Sequence, residues 1–411
     1  MTQVQVAGGY RLRPLYLTLP LANMAVMFLW MGVGAFVLPV HVQRITGVND
    51  VTALGLANSI GPLMATIANP IFGQLSDRTR SRFGRRSPWI LGCVLIGALA
   101  LLAQAGAGSV LMLGISWAGV QTIMNGYQAA TTAILPDRVP AERYGTFSAL
   151  SGLGTPVATI AASLMFIAFP GLANGGAYYV VIAVLLVAAA LIVFASPDRS
   201  SVDLPAPQPF RLGEFLAAFV RPLRSGDFRW AFVSRFGVML GYFIIFTFNL
   251  FLLEDYIKIP KAEVIPKLGL LMLIGQVATL LAVLVIGPLS DRIGRFRLFA
   301  LIAGLLSALF LGIPLIMPTF QGMVIYNVLH GVAFGIYLAV DMALVTKVLP
   351  DAADVGKDMG VINIANAGPQ ILAPSIAAFV VTVGGYPTLF VVGIVVCLVG
   401  ATGVLKIKGV R

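Results

Sequence analysis

Charged residues are scarce in this chain of 411 residues: 10% are Asp, Glu, Lys or Arg, whereas 59% are hydrophobic. A soluble domain carries about a quarter of its residues as charges, which it needs to cover its surface. The composition therefore excludes an ordinary soluble protein. The net charge of +11 does not indicate a nucleic-acid-binding protein either, because the sequence has no basic face interleaved with polar surface.

Cysteine and histidine are nearly absent, with two residues of each. Cys93 and Cys397 both lie in apolar runs, where we interpret them as packing residues and not as a disulfide framework or a metal site. Two histidines leave little for histidine-based metal chemistry, and no nucleophile–base pair stands out in the loops. We therefore expect neither an enzyme nor a metal or cofactor site.

Long runs without a charged residue dominate the sequence. A transmembrane helix needs about 20 mostly apolar residues. In the first half, two runs can hold one helix each and the next two can hold two helices each, and the second half repeats this order. The runs are 14–43, 51–76, 87–136 and 144–197, followed by 236–253, 268–290, 298–340 and 359–405. Because the runs are continuous and do not alternate with period two, they predict an all-α membrane protein with twelve transmembrane helices.

The basic residues predict the orientation of these helices. If the N-terminus is cytoplasmic, 23 of the 27 Lys and Arg residues lie inside, and the outside loops keep only Arg44, Lys258, Lys261 and Lys267. An even number of spans returns the C-terminus to the cytoplasm. No short apolar core with a small-residue cleavage site opens the chain, so we expect the first helix to serve as an uncleaved insertion signal. We expect a monomer in the lipid bilayer of the plasma (cytoplasmic) membrane.

The sequence contains an internal repeat with an offset of 214 residues. GQLSDR at 73–78 matches GPLSDR at 287–292, and ILPD at 134–137 matches VLPD at 348–351. Two anchors at one offset predict two homologous six-helix halves, related by an axis along the membrane normal. The predicted domains are a first bundle at 1–196, a polar, proline-containing cytoplasmic linker at 197–226 and a second bundle at 227–411.

The repeated loop motif resembles that of a known family. G-x-L-S-D-R followed by G-R, between predicted helices 2 and 3 and again between helices 8 and 9, is similar to the motif of the major facilitator superfamily, and the resemblance covers essentially the whole chain. It implies a central cavity lined mainly by helices 1, 4, 7 and 10, and transport by alternating access. The stretch SDRTRSRFGRRSPWI at 76–90 resembles the branch of plant sucrose transporters and bacterial glycoside–pentoside–hexuronide carriers. Further matches to the sucrose type are Val42-Gln43, Gly61-Pro62, Asn69-Pro70, Asn125, Gln128 and Ala133 through Asp137.

The charged loop motif also suggests a conformational latch. Asp77 ends predicted helix 2, where arginines or a helix N-terminus can donate hydrogen bonds to it. We expect Gly73 to allow close approach of another helix and Gly84 to permit the loop turn. The alternative is that the arginines only hold this loop on the cytoplasmic side. The residues predicted to form the latch are Gly73, Asp77, Arg78, Gly84, Arg85, Asp291 and Arg292.

Polar residues form stripes along the predicted membrane helices, where unpaired polar groups cost free energy. Helix 4 and helix 10 each carry five such positions at spacings of four, four, three and four, which places them on one helix face. The stripes are Trp117, Gln121, Asn125, Gln128 and Thr132, and Tyr326, His330, Phe334, Tyr337 and Asp341. Helix packing is the alternative for any single residue. The predicted substrate-binding residues are Asn23, Trp30, Trp117, Gln121, Asn125, Gln128, Tyr242, Asn249, His330, Tyr337, Asn363 and Asn366.

These stripes describe a neutral, amide-rich and aromatic surface. Amides both donate to and accept from sugar hydroxyls, and aromatic rings cover the apolar face of a pyranose. No cluster of cations suited to a phosphate or a dicarboxylate is visible at mid-membrane. The chemistry therefore favours a neutral polyol or glycoside over an organic anion.

Asp341 is the only carboxylate well inside a predicted span, where a charge costs about 2.5–3.5 kcal/mol on insertion scales. It could carry a coupling proton, with His330 on the same helix face. The alternative is a tether to Lys347 or to a neighbouring helix. Glu254 and Asp255, at the outer end of predicted helix 7, are expected to be solvated.

The chain departs from the sugar branch at the acids that couple transport to ions. Sucrose transporters carry an Asp and an Arg on helix 4 where this chain has Gln121 and Thr132, and melibiose-type carriers have two acids on helix 2 where it has Ala65 and Asn69. We expect a secondary transporter of a sugar or glycoside, and proton coupling through Asp341 and facilitated diffusion both stay open. The further alternatives are an exporter of amphipathic or drug-like compounds and a sensor that does not transport.

Overall fold

The structure, a computed structural model, describes residues 12–202, 226–348 and 355–407. All regular secondary structure in these residues is helical, as the sequence predicts. The helices of the first half are α1 (Leu12–Leu29), α2 (Leu38–Thr46), α3 (Val51–Arg78), α4 (Ser87–Ala105), α5 (Val110–Thr132), α6 (Ile134–Arg138), α7 (Tyr144–Gly152), α8 (Gly154–Ala168) and α9 (Gly176–Ala190). The helices of the second half are α10 (Gly226–Phe246), α11 (Asn249–Asp255), α12 (Lys261–Ile293), α13 (Phe296–Phe310), α14 (Ile313–Ile316), α15 (Phe320–Val348) and α16 (Val355–Leu405).

Short irregular turns interrupt several of these helices. A π-helical segment, Trp30–Val37, joins α1 to α2, and Pro39, which has no N–H to donate, lies in the first turn of α2. Two residues, Thr247 and Phe248, separate α10 from α11. Predicted helices 1 and 7 are therefore each built from two α-helices, and π-helical bulges of this kind often occur at functional sites.

The number of membrane spans agrees with the predicted twelve. Ten described segments are long and apolar enough to cross a membrane. One of them, Ala367–Leu405, divides into two at Gly385, whose φ of 72° breaks the helix. The 23-residue helix α5 is long enough to span but is less apolar than these ten segments, because it carries the polar stripe. The protein is thus an all-α membrane protein with twelve transmembrane helices.

The chain forms two compact units. Unit 1 comprises Met1–Val48 and Ile60–Pro209, and unit 2 comprises Asn49–Ser59 and Phe210–Arg411. The first turns of α3 therefore pack with the second half of the sequence and not with the first. Ser59 shares a hydrogen bond of 2.7 Å with Ser375 of α16. A Cβ added at Gly55 would lie 2.7 Å from Ala378, so these turns approach α16 closely.

Close helix packing holds each unit together. In unit 1, α4 packs along α5, and α1 packs against α8 and α9. Phe36 of the π-helical segment stacks on Phe166 of α8 with ring centroids 4.3 Å apart. In unit 2, α10 packs along α16 and α12 packs along α15. A Cβ added at Gly237 would lie 2.8 Å from the Cα of Gly400, so the backbones of α10 and α16 nearly touch there. Small residues at such crossings are how membrane helices gain contact area.

Candidate functional site

The polar stripe of α5 is assembled in unit 1 as a chain of amides. The Nδ2 of Asn125 donates to the carbonyl oxygen of Gln121 at 2.8 Å and lies 3.5 Å from its Oε1. The Nδ2 of Asn69, on α3, lies 3.5 Å from the Oδ1 of Asn125. The structure therefore adds Asn69 to the predicted group. The sequence offered one signal for it, since Asn69 occupies the position of an acid in the melibiose-type carriers.

Trp117 lies between two other elements at the same stripe. Its ring is 6.0 Å from the ring of Trp30 in an edge-to-face arrangement. A Cβ added at Gly61 of α3 would lie 2.8 Å from its Nε1, and one at Gly34 would lie 3.7 Å from its ring. The Nε1–H of Trp117 is buried and has no hydrogen-bond partner in the described part of the chain. A buried donor without an acceptor costs about 1–3 kcal/mol, so its persistence calls for a reason.

The remaining predicted residues of unit 1 differ in their capacity to bind a solute. The Nδ2 of Asn23 donates to the carbonyl of Leu19 at 3.1 Å, which uses one of its amide donors within α1. The side-chain amide of Gln128 is partly exposed and makes no hydrogen bond to any described residue. The Nε2 of Gln121 is also unpaired in this part of the structure. The face of α5 thus keeps free amide groups.

A buried ion pair lies in unit 2. The Oδ2 of Asp341 on α15 is 2.7 Å from the Nη1 of Arg235 on α10, and both side chains are less than a tenth exposed. The hydroxyl of Tyr337, one turn earlier on α15, donates to the Oδ1 of Asp341 at 2.8 Å. Both carboxylate oxygens are therefore engaged. The contact is a tether to a neighbouring helix, which was the alternative interpretation of Asp341, and the proton-coupling role stays a prediction.

The helix-10 stripe and predicted helix 7 form a column of aromatic rings in unit 2. The ring of Tyr242 stacks on that of Phe334 with centroids 4.5 Å apart and planes 10° apart. His330 is nearly parallel to both, at 6.1 Å from Tyr242 and 6.4 Å from Phe334. Phe246 continues the column at 5.5 Å from Tyr242, and Tyr326 lies 5.1 Å from His330.

Asn249 begins α11 directly after the break in predicted helix 7. Its Oδ1 is buried and has no hydrogen-bond partner among the described residues. Asn363 and Asn366 lie on α16, but their side chains fall outside the described part of the structure, as does that of Lys347 on α15.

The loop between α3 and α4 forms an ionic network centred on Arg86, a residue absent from the predicted latch. The guanidinium of Arg86 pairs with Asp77 and, at 2.8 Å, with Asp137 on α6, and Arg85 pairs with Asp137 as well. Arg86 is 3% exposed. Burial opposes its charge, but the hydrogen bonds and charges of Asp137 and Asp77 outweigh burial and raise the pKa of Arg86.

Asp198, just after α9, closes this network. It pairs with Arg138 at 3.1 Å and accepts a hydrogen bond of 3.1 Å from the backbone N–H of Arg86. Gly84 has a φ of 82°, and a Cβ there would lie 2.2 Å from the Cγ of Asp198. Gly84 thus has a backbone conformation and a close neighbour that favour glycine. A Cβ added at Gly73 meets no described atom within 4 Å, so the described residues show no close approach there.

The other predicted latch residues are at the surface. Asp291 and Arg292, at the end of α12, are both exposed, and Asp291 makes no ion pair within the described residues. Arg78 is exposed at the end of α3. The repeat partner of Asp137 is Asp351, which lies outside the described residues. The described part of the chain thus shows the ionic network in the first half alone.

The expectation that Glu254 is solvated is wrong. Glu254 is 9% exposed, and the Nδ2 of Asn49 donates to its Oε2 at 3.0 Å and to the Oδ1 of Asp255 at 2.7 Å. The hydroxyl of Tyr386 donates to the Oδ2 of Asp255 at 3.1 Å. All four residues belong to unit 2, where the first loop and α16 cover the end of α11.

Solved structures of membrane transporters share the fold of this chain. The chain resembles a crystal structure of a variant of the nucleoside transporter NupG, with a TM-score of 0.76 and 17% identity over 96% of this chain and 99% of that one. It also resembles a POT family transporter in complex with a thioalcohol conjugated peptide, with a TM-score of 0.72 and 14% identity over 93% and 94% of the two chains. Identities this low show a shared fold.

Two sequence comparisons give matches, one over a short segment and one over most of the chain. A protein of Synechocystis sp. (strain ATCC 27184 / PCC 6803 / Kazusa), described as "Uncharacterized symporter sll1374", is 56% identical over 45 residues. That segment is 11% of this chain and spans only 8% of the length of the relative. The sequence model of the Major Facilitator Superfamily matches residues 21–260 and 231–408. Because these matches cover most of both halves, the chain belongs to the Major Facilitator Superfamily and is a multi-pass membrane transporter.

Proposed function

We propose that this chain is a secondary active transporter of a small, neutral, polar solute, with sugars and glycosides as the first class, and that it works by alternating access. The observation that carries the proposal is the uncharged face of α5, where Trp117, Gln121 and Gln128 keep hydrogen-bonding groups that no described residue pairs. Buried polar groups are normally paired, so unpaired ones on a membrane helix suit a hydrogen-bonding solute.

The charge of the face restricts the solute. Asn69, Gln121 and Asn125 are amides, and the α5 stripe holds no Lys, Arg, Asp or Glu. A phosphate or a carboxylate is recognised by arginine or lysine, which form the strong charge-assisted hydrogen bonds. A sugar offers hydroxyls that both donate and accept, and amides match both. The sequence SRFGRRSPW at 81–89 supports a relationship to the sugar branch, although this chain has other residues in place of that branch's coupling acids.

Proton symport is the proposed mode of coupling, with Asp341 as the residue that carries the proton. The carboxylate is buried beside Arg235 and Tyr337, so its protonation would change how α15 and α10 are held together. The short match to a relative described as a symporter supports coupled transport. Uniport is the competing outcome and would leave the pair with a structural role alone.

The Arg86 network is the proposed conformational latch. It ties the ends of α3, α6 and α9 through Asp77, Asp137 and Asp198. The distribution of Lys and Arg supports a cytoplasmic position for this loop and both termini in a plasma (cytoplasmic) membrane, with the protein as a monomer.

Uptake into proteoliposomes tests the proposal directly. The purified chain is expected to exchange at least one neutral sugar or glycoside across the membrane, and to accumulate it when a proton gradient is imposed. Gln121→Ala is expected to weaken this exchange. Leu99→Ala serves as its control, because Leu99 on α4 is 66% exposed. Exchange of organic anions or lipophilic drugs without any neutral sugar or glycoside would overturn the proposed solute class, and gradient-independent uptake would overturn proton coupling.

A further inference from the structure

The aromatic column of unit 2 carries polar atoms that form no hydrogen bond to any described residue. Tyr326 and His330 are 5% and 6% exposed, yet the Tyr326 hydroxyl and the His330 ring nitrogens have no hydrogen-bond partner in the described part of the chain. The hydroxyl of Tyr242, which is partly exposed, is also without a partner there. Unlike the Oδ1 of Asn249, these atoms are not fully buried, so a solute can reach them and form hydrogen bonds with them.

Tyrosines elsewhere in the protein show that the chain can pair such hydroxyls. Four buried tyrosines each make a hydrogen bond to a protein group: Tyr127 to the carbonyl of Ala22, Tyr178 to His41, Tyr337 to Asp341 and Tyr386 to Asp255. The column, at the contact of α10 with α15, instead brings three such side chains, those of Tyr242, Tyr326 and His330, close to one another without a described partner.

The shape of the column adds a second observation. Four rings of the column are parallel to within about 20°, so their faces point the same way. They belong to Tyr242, Phe246, His330 and Phe334. The column ends at Phe246, three residues before the unpaired Oδ1 of Asn249 at the helix break. Parallel rings next to free donors and acceptors are suited to a planar ring that carries hydrogen-bonding groups, because such a ring both stacks and hydrogen-bonds.

We infer that unit 2 contains an aromatic subsite for a planar ring of the transported solute, so that the preferred solutes are glycosides with an aromatic aglycone and not simple sugars. The ring of the solute stacks on the column, and the unpaired polar atoms of Tyr242, Tyr326 and Asn249 form hydrogen bonds with polar groups at the edge of that ring. Two sources supply this chemistry, aryl glycosides and nucleosides. The inference rests on the proposed function, because it names the class of solute that the transporter takes.

Competition in counterflow assays tests the subsite. Methyl β-D-glucoside, p-nitrophenyl β-D-glucoside and uridine are compared as inhibitors in proteoliposomes that contain the full chain. At least one ring-bearing compound is expected to have an inhibition constant about tenfold lower than that of the methyl glycoside, the ratio that 1.4 kcal/mol of binding free energy gives. Whether the nitrophenyl glycoside or uridine competes better identifies the source of the ring.

Two variants separate the ring's contribution from general damage. Phe334→Leu removes one ring of the column and is expected to raise the inhibition constant of the ring-bearing compound far more than that of the methyl glycoside, which abolishes the preference. Phe379→Leu makes the same substitution at a position that is 69% exposed on α16 and is expected to keep the preference. Equal inhibition by all three compounds, or an equal loss for all three in Phe334→Leu, overturns the subsite and leaves the proposed transport of neutral solutes standing.

A binding measurement keeps the inference testable if no solute is transported. Thermal stabilisation of the purified protein by p-nitrophenyl glucoside or uridine, lost in Phe334→Leu and retained in Phe379→Leu, would support the subsite while the proposed function fails. Absence of both transport and stabilisation overturns the two together.

Discussion

Asp341 and Arg235 form a buried ion pair, with 2.7 Å between Oδ2 and Nη1, where α15 meets α10. The repeat offset of 214 residues places Asp341 at the position of Tyr127 on α5, whose hydroxyl donates to the carbonyl of Ala22 on α1. This position therefore joins equivalent helices in the two halves, α5 to α1 in the first and α15 to α10 in the second. The first half does so with a neutral hydrogen bond and the second with an ion pair. A buried ion pair is a poor source of stability, because desolvation offsets its attraction. The charges in the second half thus call for a functional reason.

Asp341→Asn is expected to abolish accumulation against a gradient while leaving exchange of the solute across the membrane. Asparagine keeps the size of the side chain and its contact with Tyr337 but cannot take up or release a proton at neutral pH. Proton-driven uptake and solute counterflow, measured in the same proteoliposomes, give the two readouts. Full accumulation by the variant would show that Asp341 does not carry the proton.

Arg235→Gln separates coupling from stability. Loss of either partner leaves a buried charge unpaired, which costs about 3–5 kcal/mol, so each single variant is expected to unfold at a lower temperature than Arg235→Gln/Asp341→Asn. The double variant is expected to regain stability without regaining accumulation. If it regains both, the pair is a tether between α10 and α15 and the proton travels elsewhere.

Trp117→Phe is expected to weaken the apparent affinity for the solute by about tenfold without lowering the unfolding temperature. The Nε1–H of Trp117 has no protein acceptor among the described residues, so its removal costs no hydrogen bond within the protein. A lost hydrogen bond to a solute is worth about 1 kcal/mol or more, which is about five- to tenfold in affinity. Concentration-dependent uptake and thermal unfolding are the measurements.

Trp89→Phe is the matched control for this prediction. The Nε1 of Trp89 donates to the Oγ1 of Thr79 at 2.7 Å, so the same substitution removes a bond within the protein. It is expected to lower stability by about 1 kcal/mol and to leave affinity unchanged. The opposite pattern, with Trp117→Phe destabilised and its affinity intact, would exclude Trp117 from the solute site.

The twelve helices and the stripe on α5 could be predicted from sequence because the bilayer imposes strong local rules. A span needs a long apolar run, and residues three and four apart share one helix face. The same rules cannot say which helix meets the stripe. Asn69 lies 56 residues before Asn125, and the two come together only because α3 packs on α5.

The choice of Arg86 as the centre of the loop network also depends on contacts distant in sequence. Five arginines fall within residues 78–86, and nothing in their local pattern distinguishes them. The fold buries Arg86 between Asp77 and Asp137 and leaves Arg82 exposed above the ring of Phe83. The burial of Glu254 cannot be predicted from sequence for a similar reason, since its position at the end of a helix does not indicate that Asn49 covers it.

Asp137→Asn is expected to reduce transport more than Asp77→Asn, with both variants still inserted in the membrane. Asp137 accepts from both Arg85 and Arg86 and its side chain is 15% exposed, whereas Asp77 pairs with Arg86 alone among the described residues and is 48% exposed. Exposed ion pairs contribute little because water screens them. Initial uptake rates, normalised to the amount of protein in the membrane, compare the two variants, and Arg82→Gln is the control. Equal rates for all three variants and the unaltered protein would remove the latch role.

Gly84→Ala is expected to destabilise the protein strongly, whereas Gly73→Ala is expected to be tolerated. Alanine at a φ of 82° is strained by about 1–2 kcal/mol, and its Cβ would lie 2.2 Å from the Cγ of Asp198, which forces Asp198 away from Arg138 and the N–H of Arg86. Gly73 lies inside α3 with no described atom within 4 Å of an added Cβ, and alanine favours a helix over glycine by up to about 1 kcal/mol. Unfolding temperature and transport rate of the two variants test the contrast. A Gly73→Ala protein that folds as stably as the parent but no longer transports would show that another helix approaches Gly73 in a different state of the transport cycle.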